Sequence, residues 1–109
     1  MKNEDNERLL ITKEQEKMLA KLGEQDVSDP TVVVRWFDPY GSYTYYVTAY
    51  YPKEGNVFGY VTGLADNEFG YTSIAEVKAL QFMGIPRIER DINFTPYKLS
   101  ECRKIYGFN

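Results

Sequence analysis

Histidine is absent from this chain, and cysteine occurs once, at Cys102. Without histidine there is no Ser–His or Cys–His nucleophilic machinery, no histidine pair for zinc, and no side chain that ordinarily titrates near neutrality. A lone cysteine forms no intrachain disulfide and, without histidine, no structural zinc site. Its thiol suits a reducing compartment, and a cytoplasmic setting is the expectation. Long apolar runs are missing too. Nothing approaches the roughly 18–20 residues of a membrane helix, and the mean hydropathy is −0.49. No membrane role is expected. The opening residues, Met1 to Arg8, are polar and mixed in charge. They are unlike a signal or transit peptide and are expected to fray. Positive charge is not in excess, with 13 Lys and Arg against 16 Asp and Glu. No stretch gives the phosphate-neutralising footprint of direct nucleic-acid binding.

What is present suffices for one core. The chain has 109 residues, 43% of them hydrophobic. A single domain over residues 1–109 is expected. Thr12 with Gln15 three residues on is a capping-box pattern. Ile11, Met18, Leu19 and Leu22 follow on one side of a helix, which Gly23 ends. Asp38-Pro39-Tyr40-Gly41 suits a type I turn joining strands 32–37 and 42–51. Pairing around this turn sets Trp36 opposite Tyr43 and Val34 opposite Tyr45. Alternation then puts Val32, Val34, Trp36, Tyr43, Tyr45, Val47, Ala49 and Tyr51 on one face. Val33, Arg35, Thr44, Tyr46, Thr48 and Tyr50 fall on the other. Residues 57–62 read as a third strand, and 64–71 as an irregular connector. Ser73 with Glu76 opens a second helix, expected to run to Met83. Residues 87–94 alternate as a fourth strand, and Thr95-Pro96 opens a last helix. The expected fold is α+β, with about four antiparallel strands and about three helices in the order α-β-β-β-α-β-α. The helices are expected on one side of the sheet.

Three groups are candidate sites. Tyr46 and Tyr50, with Tyr60 from the third strand and Arg35 beside them, form an aromatic face. If bare, it would suit a protein partner, because Tyr joins a large apolar area to a hydroxyl. If covered, it is ordinary core. Asp66, Glu68 and Glu76 around Gly70-Tyr71 form an acidic connector. Their spacing matches no calcium loop, so no metal or cofactor is assigned. Arg90 alternates with Ile88, Ile92 and Phe94, so it needs a carboxylate partner. Asp66 or Glu68 is expected to supply it, with Asp91 alongside. Glu68, Arg90 and Asp91 are either a structural ion-pair group or an anion- or substrate-binding set. Cys102 lies on an apolar helical stripe and reads as a buried thiol.

The segments "EFGYTSIAEV" and "IERDINFTP" resemble a family of small bacterial proteins known only as a domain of unknown function. The resemblance runs from about Leu10 to Ser100. It is most specific at Glu68, Gly70, Tyr71, Ser73, Ala75, Glu76, Glu89, Arg90, Asp91, Phe94 and Pro96. Asn93 stands where members often have histidine. The family implies carriage on plasmids, phages or integrative elements. The expected function is a non-enzymatic accessory protein that binds a protein partner, through Arg35, Tyr46, Tyr50 and Tyr60 or through Asp66, Glu68 and Tyr71. A small enzyme or ligand-binding domain using Glu68, Arg90 and Asp91 is the alternative. Nucleic-acid binding or acidic DNA mimicry is a third.

Overall fold

The computed structural model describes residues 9–109, so the fraying expected of residues 1–8 lies outside the described part. Helix α1 spans Lys13–Leu22. The Thr12 hydroxyl accepts from the Gln15 N–H at 3.1 Å, and the Gln15 side chain accepts from the Thr12 N–H at 2.9 Å. This reciprocal pair satisfies two amides that the first helical turn leaves without partners. Ile11, Met18 and Leu22 pack against the core that holds Leu19.

Strands β1 (Thr31–Val32) and β2 (Val34–Phe37) lead into the expected turn. There Gly41 N–H donates to the Asp38 carbonyl at 3.2 Å, and Tyr40 N–H to Asp38 Oδ1 at 2.8 Å. Strand β3 (Thr44–Tyr51) returns antiparallel. Its register differs from the expected one by two residues: Trp36 faces Tyr45, and Val34 faces Val47. A shift of two preserves side-chain parity, so these four still share one face. Trp36 is buried there and its Nε1 donates to the Leu10 carbonyl at 2.7 Å.

Two irregularities then break the expected alternation. The β3 register slips between Val47 and Ala49, a bulge that leaves Thr48 as the extra residue. Beyond it Tyr50 turns toward the Trp36 core, while Ala49 and Tyr51 pair on the opposite face. A second kink lies between β1 and β2. Val33 joins the Trp36 cluster and Val32 joins the Tyr46 cluster, the reverse of the expectation. Tyr46 and Tyr50 therefore do not share a face.

Strands β4 (Asn56–Thr62) and β5 (Glu68–Ser73) pair along their length, so the second half of the supposed irregular connector, residues 68–71, is a strand. Helix α2 (Ile74–Ala79) is capped by Ser73, whose Oγ accepts from Glu76 N–H at 3.2 Å. It stops well before Met83. A small finger follows, made of β6 (Gln81–Phe82) and β7 (Ile85–Pro86). Its turn residues, Met83 at φ 55° and Gly84 at φ 82°, are both left-handed, as in a two-residue type I′ hairpin. Gly84 thus serves a hairpin, not a helix end. Of the expected fourth strand only β8 (Glu89–Arg90) forms, beside β2. Strand β9 (Tyr97–Lys98) pairs with β1 and leads into helix α3 (Leu99–Tyr106).

The described residues form an α+β fold with three helices and a five-stranded antiparallel sheet in the order β5-β4-β3-β2-β8, flanked by two two-stranded pieces. The main sheet has one strand more than expected because β5 was hidden. The helices do not lie on one side. The core on the Trp36 face takes Leu19 from α1 and Val77 from α2. The core on the Tyr46 face takes Leu99 and Cys102 from α3. The side chain of Asp29 anchors α3 by accepting from Ser100 N–H and Ser100 Oγ, each at 2.8 Å. That anchor replaces the expected Thr95-Pro96 cap.

Candidate interaction surface

The covering of the second face changes the meaning of its tyrosines. Tyr46 is 1% exposed. Its ring lies 4.7 Å from Phe108 and 6.0 Å from Tyr106, centroid to centroid. Tyr60 is buried beside it, and its hydroxyl donates to the Asn109 backbone oxygen at 2.7 Å. Arg35 is held in the same layer. Its guanidinium sits 4.0 Å from the Tyr106 ring centroid and 3.0 Å from Asp91 Oδ2, and its Nε donates to the Tyr46 hydroxyl at 3.4 Å. Asp91 N–H also donates to the Arg35 carbonyl at 2.8 Å. Burial pushes the Tyr46 hydroxyl up, with the Arg35 charge acting against that rise. This arrangement binds the sheet to α3 and is satisfied internally. Of the two alternatives left open for Arg35, Tyr46 and Tyr60, a bare face or a covered one, the structure has the covered one. Alternation shows only that these side chains point together; α3 and Phe108, which cover them, lie far downstream in the chain.

The Glu68–Arg90–Asp91 set does not converge. Glu68 is on β5 and Arg90 on β8, at opposite edges of the sheet. Four strand spacings separate them, roughly 19 Å. Arg90 instead donates from Nε to the Leu9 carbonyl at 2.7 Å. It borders a shallow depression of about 200 Å³ with Phe37, Glu89, Asp91, Ile92 and Asn93. The carboxylate that Arg90 was expected to draw from Asp66 or Glu68 is thus out of reach. Among the described residues, no group of three or more His, Cys, Asp or Glu is arranged to hold a metal.

Asp66, Glu68 and Tyr71 are brought together. With Val61, Leu64, Ala65, Phe69 and Gly70 they line a groove of about 390 Å³ at the outer edge of β5. Beside it runs an aromatic strip that alternation did not reveal. The Tyr71 ring lies 4.7 Å from Phe58 and 6.1 Å from Tyr51, and Phe58 stacks on Phe69 at 5.6 Å. Tyr71 is 66% exposed, and the other three are half-buried. Three causes assemble this strip. The Thr48 bulge swings Tyr51 onto this face, β5 brings Phe69 and Tyr71, and α3 covers Tyr46 and Tyr60 but leaves this end open. The Tyr51 hydroxyl donates to Glu24 Oε2 at 3.0 Å. Burial, and next the Glu24 carboxylate, push it up to about 12, so it remains a neutral donor at physiological pH. The alternation of Phe69, Tyr71 and Ser73 with Glu68, Gly70 and Thr72 was the available signal for β5, obscured by Gly70.

The finger is a second exposed apolar feature, also unforeseen. Met83 is 86% exposed, and Leu80, Phe82 and Ile85 are exposed beside it. Tyr40 stacks on Phe82 at 4.4 Å. Arg87 pins the finger's base, its Nε lying 2.7 Å from Asp38 Oδ2. Tyr50 lies apart from both, beside α1 with Glu16, Lys17, Ala20 and Pro52 around a shallow depression.

These features define a small α+β protein with an aromatic strip along one sheet edge and a second exposed apolar feature at the finger. The chain belongs to the family described as "Protein of unknown function (DUF2958)", whose model matches residues 9–105. No curated protein and no solved structure matches the chain significantly. No helix among the described residues is long and apolar enough to cross a membrane.

Proposed function

We propose that this chain is a non-enzymatic accessory protein of a mobile genetic element that works in the cytoplasm by binding a protein partner. The observation that supports binding is the strip Tyr51, Phe58, Phe69 and Tyr71 beside the open edge of β5. Half-open aromatic side chains in contact with one another, rimmed by Asp66 and Glu68, have the composition of an interface centre with a polar rim. Arg35, Tyr46 and Tyr60 support this surface from within by holding α3 on the sheet. The mobile-element setting rests on the resemblance at "EFGYTSIAEV" and "IERDINFTP".

Capture from a bacterial lysate on the immobilised protein tests the binding role. A specific protein should be retained by the wild type and reduced at least tenfold by Tyr71→Ala. That substitution removes a mostly exposed ring and costs little stability. Retention that survives Tyr71→Ala but is lost in Met83→Ser/Ile85→Ser would overturn the choice of the β5 edge in favour of the finger. Flanking genes for integration or conjugation would support the mobile-element setting, and conserved housekeeping neighbours would contradict it.

A further inference from the structure

The geometry points to strand addition at β5 by an extended basic segment of the partner, with Arg or Lys alternating with apolar residues. This inference rests on the reading of the β5 edge as the docking surface and specifies its mode and chemistry. The parity of the β4–β5 ladder comes first. Ile74 N–H donates to the Gly55 carbonyl at 2.9 Å, and the register continues without a break through Val57↔Thr72, Gly59↔Gly70 and Val61↔Glu68. In an antiparallel ladder hydrogen-bonded pairs alternate with non-bonded ones. Glu68, Gly70 and Thr72 therefore turn their backbone groups toward β4. Phe69 and Tyr71 turn theirs outward, to an edge that no described strand occupies.

Strand edges are ordinarily guarded by brevity, proline, lysine or a bulge. The opposite edge, β8, is two residues long. By contrast β5 is six residues, Glu-Phe-Gly-Tyr-Thr-Ser, with no proline, no lysine and no register shift. Such an edge is a template for main-chain pairing.

Charge selects the occupant. From Glu54 to Val77 the chain carries Glu54, Asp66, Glu68 and Glu76 and no Lys or Arg. Asp66 and Glu68 are exposed at the groove and make no ion pair among the described residues. Arg or Lys on one face of an added strand would meet the Glu68 carboxylate, and the apolar residues alternating with them would meet Phe69 and Tyr71 on the other face. A second copy of this chain would instead bring Asp66 and Glu68 of both chains to one seam, which like-charge repulsion opposes.

A fluorescein-labelled octapeptide of alternating Arg and Val, with a Glu/Val octapeptide for comparison, tests this on the full chain. The Arg/Val peptide should bind at least tenfold more tightly, weaken as salt rises, and lose at least tenfold on Asp66→Lys/Glu68→Lys. It should raise hydrogen-exchange protection at the Phe69 and Tyr71 amides and leave Gly70 and Thr72 unchanged. Tyr71→Pro removes an outward N–H without touching the β4 ladder, so binding should vanish while the melting temperature stays close to wild type. If that variant fails to fold, the exchange pattern on the wild type decides. Equal binding of both peptides, or binding that leaves Phe69 and Tyr71 unprotected, overturns the inference. So does a dimer in sedimentation that the Arg/Val peptide does not dissociate. A Tyr71-dependent protein partner whose complex leaves those two amides unprotected would overturn strand addition alone and leave the protein-binding reading standing. Binding of the Arg/Val peptide with the expected exchange pattern, but no Tyr71-dependent protein in any lysate, would do the reverse.

Discussion

Gly59 and Gly70 face each other across β4 and β5, yet their substitutions carry unequal costs. A Cβ at Gly59 would stand 2.1 Å from the Tyr46 carbonyl oxygen and 2.8 Å from Tyr45 Cε1. Backbone and a buried ring would both have to move. At Gly70 a Cβ meets nothing within 4 Å. Gly59→Ala should therefore cost about 3 kcal/mol, and Gly70→Ala less than about 1 kcal/mol. Urea unfolding of the two variants checks the contrast. The missing side chain at Gly59 is what lets Tyr45 lie across β4, so that its hydroxyl donates to the Gly70 carbonyl at 2.5 Å. Cys102 is settled at the same scale. It is buried, and burial pushes its thiol up to about 11, which suits core packing rather than nucleophilic chemistry. Its position on an apolar helical stripe was legible from sequence because helix periodicity alone decides it.

At the scale of elements, two ends of structure make distinct predictions. The Ser100 backbone N–H first, and then its hydroxyl, hold the Asp29 carboxyl below its ordinary value of 3.8. A lowered folded-state value means the anchor's contribution is present above that ordinary value. It is lost as pH falls through the lowered one. Asp29→Asn should therefore reduce the melting temperature at pH 7, and the gap from wild type should narrow below about pH 4. Thermal melts at pH 7 and pH 3 measure this. The finger turn gives the second case. Met83 holds φ 55°, where a non-glycine residue is strained. Asn-Gly is the preferred pair for this turn, so Met83→Asn should relieve about 1 kcal/mol. Amide exchange within the finger should slow severalfold. Helix α1 and the Asp38 turn could be read directly because their signals close within three or four residues. Strand β5 could not, since Gly70 interrupts its pattern and its partner β4 is what stabilises it.

For the whole molecule, the sheet is the shared wall of two cores. One holds Trp36, Tyr45 and Leu19, the other Tyr46, Leu99 and Cys102. Arg35, on the strand next to Trp36, ties the second core to Asp91 and Tyr106. Loss of either core exposes the sheet face that supports the other. Unfolding should therefore be one cooperative transition, with near- and far-ultraviolet circular dichroism coinciding in denaturant. Two separated transitions would show that the cores are independent. Of the candidate site residues, Asp66, Glu68 and Tyr71 gather at one edge. Arg35, Tyr46 and Tyr60 are drawn inward, Tyr50 changes face, and Arg90 stands at the far edge.

From the amino-acid order alone came the α+β class, the capped first helix, the turn at Asp38 and the shared face of Trp36, Tyr45, Val34 and Val47. Each depends on contacts local in the chain or on strict alternation, so near neighbours carry the information. Which aromatic side chains are covered and which stay open was decided only in three dimensions. Alternation says which side chains point together, not what later packs over them. The Thr48 bulge reverses parity at Tyr50 and Tyr51, and α3 returns from the far end of the chain to cover Tyr46 while leaving Tyr71 in water.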